Sequence, residues 1–170
     1  LERMATALHL AGQYSDSDAL CEKFEQTYPK SVLIPAIWFR AAENACLSAN
    51  AAGKDSSAAD VDKKLTEAVK RYQRLLEKFP DFSDANLARY GLATAQFQKR
   101  DYAETIETLS KILDTDRNGM LAGVNYMLAD CCIRLLPAQT DDALQAAQMI
   151  DRAEQAVKML EKYIPTQGKD

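Results

Sequence analysis

Apolar residues return every three to four positions along almost the whole chain, the spacing of a helix face and not of a strand. Between Ala58 and Phe79, the residues Val61, Leu65, Ala68, Val69, Tyr72, Leu75, Leu76 and Phe79 share one face of a single long helix. A second long helix is predicted to carry Leu144, Ala147, Ile150, Ala153, Val157, Leu160 and Ile164 on one face, after a break at Pro137 and a cap at Thr140. With the punctuation between them, these patterns predict eight helices, over 2–12, 16–28, 33–50, 58–79, 84–99, 102–115, 119–136 and 141–163, and no strand. Ser83 is placed to begin the fifth helix. Asp101 with Glu104, and Ser15 with Asp18, have the spacing of capping boxes.

The helices repeat in pairs. Gly12-Gln13-Tyr14-Ser15-Asp16-Ser17 aligns with Arg100-Asp101-Tyr102-Ala103-Glu104-Thr105, and Cys21, Phe24 and Pro29 then fall on Leu109, Ile112 and Arg117. Tyr72, Leu75 and Pro80 keep that spacing, as do Val157, Leu160 and Pro165. In the first helix of each pair Met4-Ala5, Ala41-Ala42, Leu92-Ala93 and Leu128-Ala129 share one slot, whose alanine lets a neighbouring helix come close. This pattern resembles the tetratricopeptide repeat, a helix-turn-helix unit with a period of about 34 residues. The resemblance puts Trp38 on the family's first-helix Trp, Ala42 and Ala93 on its small position, and Tyr102 on the turn aromatic. It puts Ala68 and Ala153 on the second-helix Ala, and Pro29, Pro80 and Pro165 on the closing Pro. Ser17, Thr105 and Arg117 depart from it, and no unit has the full Leu-Gly pair.

The resemblance implies an all-α fold, a right-handed superhelical solenoid of about four units in one domain over 1–170. The units are expected at approximately 1–31, 32–82, 83–118 and 119–165, with insertions in the second and fourth. Because the chain opens at Leu1 in mid-pattern, it reads as a piece of a longer one. Tyr28-Pro29-Lys30-Ser31 and Phe79-Pro80-Asp81-Phe82 are similar to joints in bacterial envelope repeat proteins, which favours the periplasm or cell envelope over the cytoplasm.

Composition agrees with helices: 27 Ala stand against 21 Val, Ile and Thr together, with only 6 Gly and 5 Pro. A net charge of -4 gives no field to attract phosphate backbones, so nucleic acid is not an expected partner. No apolar run reaches the roughly 20 residues of a membrane span, so membrane insertion is not expected. Cys21, Cys46, Cys131 and Cys132 fall inside apolar patterns and read as buried thiols.

Candidate chemistry is sparse. His9 is the sole histidine, beside Leu8 and Leu10, and reads as a surface or boundary residue; two-histidine metal sites are thereby excluded. Phosphate-cradling glycine loops are absent, and the carboxylate pairs Asp114 with Asp116 and Asp141 with Asp142 sit at helix ends, where acids cap or solvate. No enzyme, no cofactor and no metal is expected. Lys63, Lys64, Lys70, Arg71, Arg74 and Lys78 form a basic run that reads first as a solvated face and second as an anion-binding patch.

The candidate surface is a stripe. Phe39, Tyr90 and Tyr126 recur at one first-helix address, and one turn further stand Glu43, Thr94 and Asp130. Either the aromatics pack beneath the adjacent unit, or they floor a concave groove suited to a protein or peptide with apolar and basic side chains. A clamp for a peptide's terminal carboxylate, as in chaperone-binding members of the family, would meet negative charge here. The expected function is therefore a non-catalytic scaffold for a protein or peptide partner, with an envelope-assembly role. The alternative is a structural repeat that self-associates weakly through bare ends, Met4 and Leu8 on one side and Met159, Leu160 and Tyr163 on the other.

Overall fold

The computed structural model describes residues 1–51, 57–136 and 142–164. Among them are eight α-helices, two 3-10 turns and no strand: α1 (Glu2–Leu10), α2 (Tyr14–Thr27), α3 (Ile34–Asn50), α4 (Ala58–Lys78), α5 (Ala85–Gln98), α6 (Tyr102–Ser110), α7 (Val124–Arg134) and α8 (Ala143–Tyr163). The helix expected over 102–115 stops at Ser110, and the one expected from 119 starts as a helix only at Val124. Between them the backbone turns twice in 3-10 form, at Asp114–Asp116 and Gly119–Leu121.

Two compact units divide the chain, residues 1–99 and 100–170. The boundary falls between α5 and α6, inside the third expected repeat. In the first unit α2 and α4 each pack on α3, and α3 also touches α1 and α5. This gives one layer of α1, α3 and α5 backed by a layer of α2 and α4. Ala5 and Ala42 are at most 1% exposed, as the shared slot requires if first helices are to approach closely. Ala93 and Ala129 in the same slot are fully buried. The core of this unit is two apolar clusters. One joins Ala5, Cys21, Phe24, Ile34 and Ile37; the other joins Ala42, Cys46, Leu65, Tyr72, Leu75 and Leu92 with their neighbours. Trp38 and Phe79 pack against both.

In the second unit α7 packs on α6 and on α8. Arg117 occupies the place where other units close with Pro, and its guanidinium ties the turn together. Nε donates to the Ile112 carbonyl at 3.0 Å, Nη1 donates to Asn125 Oδ1 at 2.9 Å, and Asp114 pairs with it at 2.6 Å. Packing on α8 differs from the face expected for it. Ala156, Met159 and Leu160 meet Ala129 and Cys132, whereas Leu144, Ile150, Val157 and Ile164 are exposed. The apolar arc of α8 is wider than its contact with α7 can cover, so part of it remains in solvent. The bare apolar surface predicted at Met159, Leu160 and Tyr163 is thus displaced to that row, and at the other end it is Met4 and Leu10 that stand exposed.

Local punctuation differs from expectation in instructive ways. Gly12 turns the chain at φ 75°, and the aligned Arg100 adopts φ 67°, so the sequence alignment of the two turns is also a conformational one. Asp101 and Ser15 make no side-chain cap; α2 starts before Ser15 and α5 after Ser83. Ser57 instead caps α4, its Oγ accepting from the Asp60 amide, and Asp142 caps α8 through the amides of Leu144 and Gln145. The Pro137 break, the Thr140 cap, Asp141 and the closing Pro165 lie outside the described residues. All four cysteines are buried and unpaired with one another.

Candidate functional site

Of the stripe residues in the first unit, Phe39 is taken up by packing. Its ring meets Tyr72 at 6.2 Å and Phe82 at 6.1 Å, edge-on or tilted, within the α3, α4 and α5 cluster. Tyr90 on α5 is half-buried, and its carbonyl accepts from the Thr94 hydroxyl at 2.9 Å. In the second unit Tyr126 is 52% exposed and its ring tilts against Tyr163 at 5.6 Å, while Asp130 is held by Arg134 Nε at 3.0 Å.

Glu43 is the electrostatic centre of the first unit's α1, α3 and α5 layer. Its Oε2 accepts from Arg40 Nη1 at 2.9 Å and lies 3.9 Å from His9 Nε2, with the Glu43 side chain 27% exposed. Burial pushes the carboxyl above its ordinary value, Arg40 and His9 pull it back, and Asp84 adds to the rise. The net direction is upward, so dehydration of the carboxyl outweighs the opposing pull on it. A group so perturbed is a candidate for binding a further cation or donor.

Stability should report this directly. With its pKa raised by folding, Glu43 binds a proton more readily in the native state than in the unfolded chain. Its contribution is complete below the ordinary value of 4.5 and is lost as pH climbs through the raised native value. Glu43→Gln is expected to flatten the melting temperature against pH over that interval. An unchanged slope would mean that the carboxylate is as well hydrated as a free one.

Sequence reasoning placed His9 at the surface or boundary and missed what it does. The ring is 10% exposed, with Nδ1 at 2.8 Å from Asn44 Oδ1 on α3. Asn44 Nδ2 donates to Ser17 Oγ at 2.9 Å, and Ser17 Oγ donates to the Ala5 carbonyl at 2.8 Å. A polar chain thus crosses α1, α2 and α3, through Asn44 at 1% exposure and Ser17 at 0%. Its signal was legible: Asn44 stands between the apolar pairs Ala41-Ala42 and Ala45-Cys46, and Ser17 stands where the repeat pattern has Ala.

Of the basic run on α4, Arg71 and Arg74 are paired with carboxylates. Arg71 pairs with Asp18 and Glu67 and donates to the Ala41 carbonyl, while Arg74 pairs with Glu25 at 2.9 Å and lies 3.7 Å over the Trp38 ring. Lys64 donates to the Ser48 carbonyl. Arg71 and Arg74 with their carboxylate partners line a cavity of about 320 Å³, together with Cys21, Ile37, Trp38 and Ala41. Among the described residues no cluster of three His, Cys, Asp or Glu could hold a metal, and no helix is long and apolar enough to cross a membrane.

Compared with known families, residues 39–81, which run from α3 through α4 to the Phe79–Phe82 turn, match the model described as a tetratricopeptide repeat. That match points to a protein–protein interaction module, in a family of generally non-enzymatic scaffold repeats. No curated protein matches the chain.

Proposed function

We propose that this chain, a tetratricopeptide repeat protein, is a non-catalytic scaffold that holds a protein or peptide partner on its α1, α3 and α5 layer, with Glu43 taking a basic side chain of that partner. The observation that carries the reading is the state of Glu43: half-buried, held by Arg40 at 2.9 Å, and shifted upward by dehydration that this pairing does not offset. Tyr90 and Thr94 on the neighbouring helix supply a ring face and a short polar side chain, the mixture that peptide grooves use for contact and orientation. Tyr126 and Asp130 offer an exposed ring and a carboxylate in the second unit and form a separate place to test. The Tyr28-Pro29-Lys30-Ser31 joint supports placing this work in the bacterial envelope.

Peptides selected from a random display library against the whole protein provide the test. Glu43→Lys and Tyr90→Ala are each expected to weaken a selected peptide about tenfold, roughly 1.4 kcal/mol, with helicity retained. Substitution of Asp130 and Tyr126 then reports on the second unit by itself. Peptides that bind both first-unit variants as they bind the parent would overturn the assignment. Self-association is the second reading, favoured by the exposed line Ile150, Val157 and Ile164 along α8.

A further inference from the structure

The polar chain through α1, α2 and α3 fixes its own proton positions. A backbone carbonyl can only accept, so the Ser17 hydroxyl must donate to Ala5 O. Ser17 Oγ is then an acceptor toward Asn44, which places the Asn44 amino group on that side and its Oδ1 toward His9. An amide oxygen cannot donate. His9 Nδ1 therefore carries a hydrogen, and Nε2, the nitrogen that takes a second proton, lies 3.9 Å from Glu43 Oε2.

We infer that His9 is a proton-operated control on the Glu43 site: acid places a second proton on Nε2, facing Glu43, and turns the neutral Arg40–Glu43 pair into a net positive cluster that releases a basic partner. The proton comes from solvent and no covalent bond changes. The groups that face the ring account for the polarity of the effect. From α3 these are Glu43 and Arg40, the carboxylate already shared with the guanidinium at 2.9 Å. From α2, Tyr14 presents its ring in a T-shaped arrangement at 5.8 Å, and Asp18 is engaged by Arg71. On α1 itself Glu2 accepts from Thr6, and Asp84 ahead of α5 acts on Glu43. None of these supplies a second carboxylate at the ring, so protonated His9 must draw on Glu43.

The inference rests on the proposed role of Glu43, and its experiment separates the two. His9 is the only histidine, so long-range proton–nitrogen correlation spectra of the whole labelled protein give one imidazole pattern. At pH 7.5 Nδ1 is expected to be the protonated nitrogen. On acidification both nitrogens should become protonated, and the Glu43 carboxyl carbon shift should step with them. A neutral ring protonated on Nε2, or a Glu43 signal that ignores the transition, overturns the inference. The library-selected peptide is then titrated at pH 7.5 and 5.5. The parent is expected to lose about tenfold in affinity, and His9→Gln to lose less than twofold. An equal loss in His9→Gln would assign the effect to protonation of Glu43 itself and overturn the control. If instead no selected peptide depends on Glu43 at either pH, the partner reading fails, and with it the release step, while the spectra alone decide the proton relay.

Discussion

Trp38→Ala is expected to lose about 3–5 kcal/mol of folding stability, read as the midpoint of denaturant unfolding followed by circular dichroism. Trp38 packs against both apolar clusters of the first unit, and its ring meets Phe79 edge-on at 5.3 Å. Removing the indole leaves a void between two clusters that Phe79 also touches, and it takes away the ring face over which the Arg74 guanidinium lies at 3.7 Å, leaving Arg74 its pair with Glu25. The indole nitrogen is buried and makes no hydrogen bond. Trp38→Phe therefore keeps much of the packing and removes an unpaired donor, so its loss should be well under half that of the alanine variant. Equal losses in the two would mean that ring burial is not the dominant contribution.

Gly91→Ala should destabilise by about 1–3 kcal/mol, against the usual sign for this exchange in a helix. Replacing glycine inside a helix ordinarily gains about 1 kcal/mol, because alanine loses less backbone freedom on folding. Here a Cβ on α5 would lie 2.5 Å from both Cζ and Oη of Tyr72 on α4. Tyr72 is 2% exposed and is held on another side by Phe39, so the ring has no open space to enter. The clash should disappear when the ring is shortened: in Tyr72→Leu, adding Gly91→Ala is expected to cost little or to gain. Additive losses across that double-mutant cycle would show that the two residues do not meet.

Recognition of the fold depended on features that are local in the chain. Period, punctuation and alanine content are set by residues within a few turns of each other, so the helices and the four close-approach alanines were readable in advance, and so was the packing of α1 on α2, α3 on α4 and α7 on α8, whereas the chain divides between α5 and α6. The alignment of Gly12 with Arg100 was readable too, but that both adopt a positive φ came from the structure. The stripe was legible as an address and no further. Periodicity says which residues share a helix face, but burial depends on what packs there. Phe39 was claimed by Tyr72 and Phe82, whereas Tyr126 stayed exposed.

What the sequence determined by itself is therefore the all-helical repeat architecture, because backbone hydrogen bonding and amphipathic spacing are satisfied within each helix or between neighbours in the chain. Only the tertiary structure decided which polar groups would share protons and charge. His9, Ser17 and Asn44 are separated by up to 35 residues, and they meet because α1 and α2 both pack against α3. The dehydration of Glu43 likewise comes from three-dimensional burial, and so does the choice of which apolar row of α8 faces solvent. Distance and desolvation set those energies, and neither is a property of spacing along the chain.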